Sequence, residues 1–285
     1  MKGQKVNFVS RLHHASLFTF HGLLNLLFPS TCPVCGDASD NHTHNPVCGS
    51  CWKGIKRYSG PACLICGLPL VSEYATYCES CIKAPQPFSK IIYYGIYADA
   101  LRKAIHLLKF KGIKRLARPI AELLSELPIP DADGIVPVPL HSKKLRDREF
   151  NQTALIGRRL SRQARIPLLL DVLKKEKATL PQTDVTGKER LKNVKNTFTT
   201  GKSVTGLRLI LVDDVITTGA TVYECAKVLK EAGAASITVV ALARSMPKIT
   251  ATSNWDTIST SQENMIAEDS EKVVKLIDFQ KLGSA

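Results

Sequence analysis

The chain has 285 residues, of which 44% are hydrophobic and 22% are charged, as in an ordinary soluble globular protein with one large domain or two smaller ones. Its net charge is +14, from 39 Lys and Arg against 25 Asp and Glu. A surplus of this size favours an anionic partner, which can be nucleic acid, a phosphorylated metabolite or an acidic lipid. The longest early apolar stretch, residues 15–28, contains His21 and Asn25 and is too short to cross a bilayer, which excludes a transmembrane span there.

Residues 1–30 form the first predicted segment. The apolar residues of 15–28 have helical spacing, which predicts a short amphipathic helix that packs on the body of the protein. A surface anchor on a membrane is the alternative. The basic flank of this stretch is not followed by a cleavage site of small residues, so a secretory signal peptide is not expected.

Eight of the nine cysteines follow as four CxxC pairs. Two cysteines separated by two residues can bind one metal ion from a tight turn, and the spacing of the pairs is typical of two zinc ribbons with four cysteine ligands each. We therefore predict a double zinc-ribbon domain over 31–83 with two structural Zn2+ ions. The expected ligand sets, in sequence order, are Cys32, Cys35, Cys48 and Cys51, then Cys63, Cys66, Cys78 and Cys81.

Alternatives to this ligand assignment stay open. The pairs can interleave, and His42 or His44 can replace a cysteine in the first site. A secreted disulfide framework would use the same cysteines, but the lack of a signal peptide argues against it. Cys225 stands alone within a helical pattern and is expected to be a small core residue. Glycine after the second cysteine, at Gly36 and Gly67, predicts a positive φ in each knuckle.

Strands and helices alternate after a linker at 84–88. We predict strands over 90–98, 134–140, 168–175, 207–214 and 235–244. We predict helices over 99–110, 114–127, 151–164 and 220–233. This alternation predicts an α/β domain over 88–245 that is built on a mostly parallel sheet.

Individual residues mark the ends of these helices. Asp99 is the expected N-cap of the first helix and Gly233 the expected C-cap of the last. Pro119 should either start the second helix or kink it. Residues 246–285 are polar and aperiodic, which predicts a disordered tail.

The stretch LRLILVDDVITTGATV, residues 207–222, carries the clearest chemical signal. Ligands of an open parallel sheet bind beyond the carboxyl ends of its strands, where Asp213 and Asp214 are expected. A turn that opens a helix comes next, and free N–H groups and hydroxyls in such a turn can hold a phosphate. Its residues are Thr217, Thr218, Gly219, Ala220 and Thr221. Two carboxylates beside a phosphate loop predict a ribose 5-phosphate ligand, whose two hydroxyls would donate to the acids.

Two other interpretations of the paired acids compete with this one. Acids after an apolar run also occur in nucleotide hydrolases, but that class requires a G-x-x-x-x-G-K-[ST] loop, which the sequence lacks. The acids can also be plain polar residues at a strand end. The Thr-rich turn and the helix after it favour the phosphate-binding interpretation.

The sequence ILVDDVITTGAT resembles the phosphoribosyl-pyrophosphate (PRPP) binding motif of type I phosphoribosyltransferases. Two further stretches, VPVPLHSKKLRDREFNQTALI and LPQTDVTGKERLKNVKNTF, together with the cysteine pairs, resemble the ComF family of competence-associated proteins. The similarity covers about residues 27–245. It implies a parallel-sheet phosphoribosyltransferase-like domain preceded by a small zinc-ribbon domain. Glu149 departs from the family pattern, which has glycine there, and places an acid in a loop that should be electropositive.

The resemblance also implies a ligand site. Asp213 and Asp214 would act in binding and in catalysis, with Mg2+ bound together with PRPP. A turn with a non-trans peptide at Val138–His141 would meet the pyrophosphate, and Lys144 would add positive charge near it. The implied PRPP-binding residues are Asp213, Asp214, Thr217, Thr218, Gly219, Ala220, Thr221, Pro139, Leu140, His141, Arg146, Arg148, Lys188 and Arg190.

Some of these residues belong to segments with a plainer alternative. Lys188 and Arg190 lie in a stretch that resembles the flexible loop of these enzymes, which closes over substrate and excludes water. A surface loop is the alternative for them, and a solvated basic loop is the alternative for Arg146 and Arg148. Asn151 and Gln152 are expected to orient the turn or to cap the next helix.

The family resemblance implies a cytoplasmic protein of DNA uptake during natural transformation, with incoming single-stranded DNA or DNA-processing proteins as partners. Seven Lys and Arg and no acid lie in 102–118, and four Arg lie in 158–165. Solvated helix faces are the alternative for both patches. The aromatic residues near them that could stack on bases are Tyr93, Tyr94, Tyr97 and Phe110.

An active phosphoribosyltransferase of nucleotide salvage or metabolism, with an unidentified acceptor, is the alternative function. Such an enzyme would displace pyrophosphate from C1 of ribose, and Mg2+ with Arg and Lys side chains would stabilise the charge on the leaving group. The sequence identifies no general base for an acceptor and predicts no oligomeric state.

Overall fold

The computed structural model describes residues 31–39, 43–177 and 194–246, and all of them belong to one unit that ends at Met246. Elements are numbered here in chain order within these residues. The helices are α1 (Gly49–Lys53), α2 (Glu79–Lys83), α3 (Asp99–Phe110), α4 (Ala117–Leu123), α5 (Ser142–Arg148), α6 (Gln152–Ala164) and α7 (Ala220–Glu231). The strands are β1 (Lys90–Ile96), β2 (Gly134–Pro137), β3 (Lys174–Lys175), β4 (Phe198–Thr199), β5 (Arg208–Ile216) and β6 (Ser236–Arg244).

A four-stranded parallel sheet forms the centre of the region that follows the cysteine pairs, in the order β1-β6-β5-β2. Lys90 pairs with Thr238 at one end of β1 and Ile96 with Arg244 at the other, while Gly134 of β2 pairs with Leu209 of β5. Parallel neighbours need crossover connections, which the helices between the strands supply. The predicted α/β class with a parallel sheet is confirmed.

Apolar side chains of the sheet pack against helices on both of its faces. Successive residues of a strand point to opposite faces, and β5 shows this in its contacts. Ile210 and Val212 pack in a core with residues of α3, α4 and α6, whereas Leu209 and Leu211 pack in a second core with residues of α7. Burial on both faces explains why the sequence of β5 is a continuous apolar run instead of an alternating one.

The cysteine-rich region lies along β1, which is an edge strand of this sheet. The backbone N–H of Ile91 donates to the carbonyl of Ile65 at 2.8 Å, and the N–H of Tyr58 donates to the carbonyl of Tyr94 at 2.7 Å. These bonds occupy polar groups that an open sheet edge would leave unpaired. The ribbons therefore cover one edge of the sheet and are not an independent appendage.

One predicted strand is largely wrong. Of residues 168–175, only Lys174 and Lys175 form a strand, which pairs antiparallel with Phe198–Thr199, and Leu168 makes a single bridge to Ile135. Val172 and Leu173 are buried in the core beside α7. The apolar residues of this segment thus serve packing, and the apolar run on its own could not distinguish packing from strand pairing.

Helix ends also differ from the expectations. Asp99 is the first residue of α3 and not its N-cap, which is Ala98. The C-cap of α7 is Ala232, and Gly233 follows it with a φ of +95°. Pro119 is the third residue of α4, in the first turn, where its missing N–H leaves no helical hydrogen bond unmade. Short 3-10 turns flank that helix over Lys114–Leu116 and Leu124–Glu126, so the predicted 114–127 helix is three consecutive pieces.

Three predicted segments lie wholly or mainly outside the described residues: the amphipathic segment 1–30, the loop that contains Lys188 and Arg190, and the tail 246–285, of which only Met246 is described. Within the described residues, every helix is too short or too polar to traverse a lipid bilayer.

Glu149, the residue that replaces an expected glycine, adopts the backbone conformation that favours glycine. It is the C-cap of α5 and has a φ of +62°. Its carboxylate forms an exposed ion pair with Lys114 at 3.3 Å. The family pattern therefore reflects a backbone requirement of this turn, and Glu149 meets it at a steric cost.

We expect Glu149→Gly to raise the free energy of unfolding by about 1 kcal/mol, because glycine adopts a left-handed backbone without the steric cost of a Cβ. Loss of the exposed ion pair should change the free energy of unfolding little. Urea unfolding measures the change. Glu149→Ala, which removes the same ion pair but keeps the Cβ, is the control and should give no gain; equal stability of the two variants would contradict the interpretation.

Candidate functional site

The eight paired cysteines form two clusters, grouped in sequence order. In each, the four Sγ atoms lie within 4.8 Å of one another: Cys32, Cys35, Cys48 and Cys51 in the first, and Cys63, Cys66, Cys78 and Cys81 in the second. Cys35 Sγ lies 3.7 Å from Cys48 Sγ, and Cys66 Sγ lies 3.5 Å from Cys78 Sγ. A tetrahedral site with Zn–S bonds of about 2.3 Å needs sulfur atoms about 3.8 Å apart, so both clusters fit a structural Zn2+.

The thiols of these clusters are too crowded to ionise together without a cation. Burial and hydrogen bonds to neighbouring thiols raise the pKa of Cys51 to about 12. Burial, with the nearby thiols of Cys78 and Cys63, raises the pKa of Cys66 to about 11. A divalent metal supplies the charge that lets all four sulfurs of a cluster bind as thiolates. His44 does not belong to the first cluster, and its ring stacks on Trp52 with 4.7 Å between centroids. His42, the other alternative ligand, lies outside the described residues.

The knuckle glycines have the predicted positive φ, +87° at Gly36 and +64° at Gly67. Gly67 has a second reason to lack a side chain. A Cβ there would lie 2.9 Å from Cε1 of Tyr93 and 3.2 Å from the carbonyl oxygen of Ile91. The second ribbon thus approaches β1 closely at this residue.

Asp213 and Asp214 lie within the last four residues of β5, near the carboxyl end of the sheet, and both are buried. Adjacent residues of a strand point to opposite faces, so the two carboxylates have different surroundings. The backbone N–H of Asp214 donates to Asp213 Oδ1 at 2.8 Å, and the N–H of Val215 donates to Asp214 Oδ1 at 2.8 Å.

Asp214 is held by two side chains from the helices on its face. Lys109 Nζ, from the last turn of α3, lies 2.9 Å from Oδ2 and 3.1 Å from Oδ1. Gln152 Nε2, from the first turn of α6, donates to Oδ2 at 2.9 Å. Burial raises the pKa of Asp214, but the charge and hydrogen bonds of these partners outweigh it and hold the pKa below its usual value. Asp214 is therefore a fully paired carboxylate.

Among the residues that the structure describes, no side chain pairs with the Asp213 carboxylate at close range, so its charge is poorly compensated. Burial, and then the charge of Asp214, raise the pKa of Asp213 to about 7, while Lys109 and Lys175 partly offset these effects. Asp213 is one of the residues that line the pocket beyond the strand. A ligand that donates hydrogen bonds or carries positive charge would relieve this carboxylate.

The loop after β5 forms the other wall of the same pocket. Its residues Thr217, Thr218, Gly219, Ala220 and Thr221 all line the cavity, and Val222 continues the wall into α7. Gly219 is the N-cap of α7 with a φ of +83°, and Thr218 Oγ1 accepts from the N–H of Ala220 at 3.4 Å. The first N–H groups of a helix that is 12 residues long therefore point toward the cavity edge.

Positive side chains gather at the pocket entrance. Lys109 lines the cavity together with Tyr97 and Phe110. Arg148 lies with its guanidinium carbon 4.9 Å from the centroid of the Phe110 ring. Burial and then the charges of Arg148 and Lys109 lower the pKa of Lys144, which shows that these three cations lie close enough to repel one another. Such crowding favours an anion at the entrance.

The turn predicted to meet pyrophosphate follows β2. Val138 is buried, and its carbonyl accepts from Asn151 Nδ2 at 3.1 Å and from Thr153 Oγ1 at 2.7 Å. Pro139 and Leu140 are half-buried, and the His141 ring caps α5 by accepting from the N–H of Lys143 at 3.2 Å. In the part of the chain that the structure describes, the cis peptide bond is Asn45–Pro46, so the expected non-trans peptide in this turn is wrong.

The structure unites some predicted site residues and separates others. Asp213 and the Thr217–Thr221 loop share one pocket, whereas Asp214, Pro139, Leu140, His141, Arg146 and Arg148 lie outside its walls. Arg146 is exposed. Lys188 and Arg190 lie outside the described residues. Lys109 was missed as a site residue, because its partner Asp214 is 105 positions away and no local pattern links them.

Two family models match the chain. The double zinc ribbon domain matches residues 23–82, and the phosphoribosyl transferase domain matches residues 153–275. The first match covers the cysteine clusters and the second covers Asp213 and the Thr217–Thr221 loop, in the order predicted for the two domains, whereas Tyr97, Lys109 and Phe110 of the pocket lie between the two matches.

Several bacterial proteins are similar to about 70% of this chain. Competence protein F of Haemophilus influenzae is 36% identical over 213 residues, which are 70% of this chain and 91% of that protein. DNA utilization protein YhgH of Escherichia coli K12 is 32% identical over 71% of this chain and 92% of its own length. Competence protein ComFC of Bacillus subtilis is 31% identical over 70% and 84%.

Solved structures with some likeness include the glutamine PRPP amidotransferase of B. subtilis, at 21% identity and a TM-score of 0.32, covering 44% of this chain and 25% of that one. Another is purine phosphoribosyltransferase of Pyrococcus horikoshii, at 23% identity and a TM-score of 0.28, covering 48% and 75%. TM-scores of this size are too low to carry a structural argument.

We expect Lys109→Met to lower the free energy of unfolding at pH 8 by about 3 kcal/mol, because it leaves the buried Asp214 carboxylate without its compensating charge. The depressed pKa of Asp214 contributes stability above the unfolded pKa that is lost as pH falls, so the deficit should shrink toward pH 3. Urea unfolding at both pH values tests this.

Lys111→Met is the matched control, because Lys111 is exposed and should change stability by less than about 0.5 kcal/mol. Adding Asp214→Asn to Lys109→Met should recover part of the loss. Equal effects of the two lysine variants, or a loss that does not depend on pH, would show that the ion pair does not stabilise the fold in this way.

Proposed function

Because the chain belongs to the ComF family of competence proteins, we propose that it binds PRPP or a related ribose 5-phosphate beyond the carboxyl end of β5 and acts in the cytoplasm on DNA taken up during natural transformation. The names of the relatives, competence protein F, DNA utilization protein and competence protein ComFC, support the DNA part of this role. The match to the phosphoribosyl transferase domain supports the ligand.

The ligand proposal rests chiefly on one observation: Asp213, Lys109 and the Thr217–Thr221 loop share the walls of a single pocket. The loop offers hydroxyls, a left-handed Gly219 and the N-terminus of α7, which together suit a phosphate group. Asp213 is a buried acceptor a few residues before it, suited to a ribose hydroxyl. The arrangement therefore matches the two ends of ribose 5-phosphate.

The two acids would have different roles toward this ligand. Asp213 lines the pocket and is the carboxylate available to a hydroxyl or to Mg2+. Asp214 would reach the ligand only if Lys109 left it, so in the described arrangement it fixes α3 and α6 against the strand. Carboxylate oxygens are suitable Mg2+ ligands, and a bound Mg2+ would neutralise charge on the diphosphate of PRPP.

The cations at the entrance suit the diphosphate part of PRPP. Lys144 and Arg148 lie beside Lys109, and the charge of Asp214 acts on Arg148. Anions bound there would relieve the mutual repulsion that lowers the pKa of Lys144. Arg146, Lys188 and Arg190 remain proposed contacts for this part of the ligand, together with the Pro139–His141 turn.

The DNA proposal is supported by the exposed face of α3. Tyr93 and Tyr94 are buried in the sheet and cannot stack on bases. Phe110, which is 56% exposed at the pocket entrance, is the proposed aromatic platform, and the half-buried Tyr97 lines the same pocket. Arg148 and the His106 ring lie against it, at 4.9 Å and 4.7 Å. Exposed Arg102, Lys103 and Lys111 follow the same helix and can contact phosphates.

Transfer of the ribose 5-phosphate is a second candidate function, favoured by the match to the phosphoribosyl transferase domain and by the cations at the entrance. An acceptor atom would form a bond to C1 of ribose while the C1–O bond to pyrophosphate breaks, with the electron pair leaving on pyrophosphate. The residues of this chain would position the ribose and hold the departing anion. Release of pyrophosphate on addition of nucleobases distinguishes transfer from binding alone.

Calorimetry with PRPP and Mg2+ should give saturable binding to the wild type, and Asp213→Asn should weaken it by about tenfold or more through loss of a charged acceptor. We do not expect the Asn variant to lose affinity through unfolding. The raised pKa of Asp213 means that its ionisation lowers stability as pH rises through about 7, so the uncharged Asn variant should be at least as stable at pH 8.

Asp171→Asn is the control for this experiment, because Asp171 is an exposed carboxylate paired with Lys202 on the surface. It should leave PRPP binding unchanged. If the wild type shows no heat with PRPP, or if both Asp variants bind as tightly as the wild type, the ribose-phosphate proposal is wrong.

If α3 contacts phosphates, binding of a fluorescent oligo-dT should weaken steeply between about 50 and 200 mM salt. Each phosphate contact releases about one counterion, so added salt opposes binding. Phe110→Ala should weaken binding by roughly tenfold through loss of stacking. In the double variant Lys103→Gln, Lys111→Gln, the affinity for the oligonucleotide should depend less steeply on salt concentration.

Lys90→Gln is the control, because Lys90 is an exposed lysine at the amino end of β1, where the strand begins. Binding that is insensitive to salt, or that falls equally with the Lys90 variant, would exclude α3 as the DNA surface.

A further inference from the structure

Arg244, the last residue of β6, is a buried arginine whose guanidinium is unsatisfied. The residue is only 3% exposed, and among the described residues its Nε and Nη1 atoms have no hydrogen-bond partner. Its backbone, in contrast, is used: the carbonyl accepts from the N–H of Tyr97 at 2.8 Å. Buried charged groups are normally paired, so an unpaired guanidinium requires a physical explanation.

The knuckle of the second ribbon lies along β1, which is the neighbour of β6 in the sheet: the N–H of Ile91 donates to the carbonyl of Ile65 at 2.8 Å, and a Cβ on Gly67 would lie 2.9 Å from the Tyr93 ring. Burial lowers the pKa of Arg244, and the sulfurs of Cys66, Cys78 and Cys63, with the Tyr93 hydroxyl, are the groups that act to raise it. The Tyr93 hydroxyl is itself buried without a partner in the described part of the chain. A zinc ion with four thiolates carries a net charge of about −2, which makes this cluster the counter-charge of Arg244.

The phosphate loop is also close to Arg244. Arg244 pairs with Ile216 in the sheet, which puts it beside the residue that leads into the loop. A Cβ built on Gly219 would lie 4.0 Å from Arg244 Nη1, so the guanidinium is directly behind the N-cap of α7. The positive end of that helix and the arginine therefore act at the same place.

We propose that Arg244 is a positioning residue of the phosphate loop, because its guanidinium supplies positive charge behind Gly219 for a bound phosphate. The second zinc–thiolate cluster holds this charge in place. The inference rests on the proposed function, because it presupposes a ribose 5-phosphate in the pocket. It makes the second ribbon part of the ligand site.

In the part of the chain that the structure describes, the first ribbon has no such connection. Cys32 and Cys48 pack in the core on the face of the sheet that carries α3, α4 and α6. Cys66 packs in the core on the other face, together with residues of α7. The two otherwise similar zinc clusters are thus an internal comparison within one chain, and only the second should respond to phosphate.

The wild-type protein with 113Cd in both clusters tests the inference without any substitution. Titration with ribose 5-phosphate should shift the NMR resonances of the Cys63 cluster and leave those of the Cys32 cluster almost unchanged. Pyrophosphate, which matches the cations at the entrance, should shift neither. Assignment follows from a variant that lacks Cys35, which removes the first cluster alone.

Two Arg244 variants measure the contribution to affinity. Arg244→Gln should weaken ribose 5-phosphate binding on the order of tenfold, as expected for a unit charge several ångströms from a phosphate in a partly buried site, while pyrophosphate affinity stays the same. Arg244→Lys, which keeps the charge, should restore most of the affinity. Arg208→Gln is the control, since Arg208 is an exposed arginine at the amino end of β5 that pairs with Asp133. Zinc content and a melting curve accompany each variant.

Each outcome has a defined consequence. Unchanged ribose 5-phosphate affinity in a folded, zinc-replete Arg244→Gln protein overturns the inference, and so does equal weakening of ribose 5-phosphate and pyrophosphate, which indicates a general structural effect. If Arg244→Gln does not fold, the cadmium experiment decides, and equal or absent shifts at the two clusters overturn the inference. A wild-type protein that binds no ribose 5-phosphate refutes the proposed function itself and this inference with it.

Discussion

A buried carboxylate has to be compensated, and Asp214 imposes this requirement on the whole carboxyl edge of the sheet. Lys109 and Gln152 meet it from two different helices, so the ion pair and the amide bond fix α3 and α6 relative to β5. Because Lys109 is engaged there, Asp213 keeps only partial compensation and a raised pKa. Of these two adjacent buried acids, Asp214 is thus a paired structural group, whereas Asp213 lines a pocket.

The parts of the site that sequence could predict are those in which the chemistry is contiguous. The CxxC pairs carry their ligand geometry within four residues, and Cys63 to Cys81 cluster as that spacing implies. The Thr217–Thr221 loop and Asp213 are likewise neighbours in sequence and in the pocket. Long apolar runs such as 207–214 and 235–244 give strands of the expected type, with ends shifted by one or two residues.

The parts that could not be predicted depend on contacts between distant residues. Lys109 and Gln152 meet Asp214 only because helices on one face converge at the strand end, and Arg244 meets the second ribbon only because β6 lies beside β1. The same dependence on packing explains the error at 168–175, where apolar residues fill a core instead of pairing in the sheet. It also explains why Tyr93, which the sequence presents beside a basic segment, is buried.

The strand order has a consequence for how the protein is made. β6 lies between β1 and β5, yet it is the last of the four strands to be synthesised. A nascent chain that already contains β1 and β5 therefore cannot join them until residues 236–244 have left the ribosome. During that interval the apolar strand β5 lacks one of its two neighbours. Non-local pairing of this kind slows folding and prolongs the exposure of apolar surface that is prone to aggregation. Arg244 completes the sequence of β6, so its guanidinium can take its place near Gly219 only after this last strand has been synthesised.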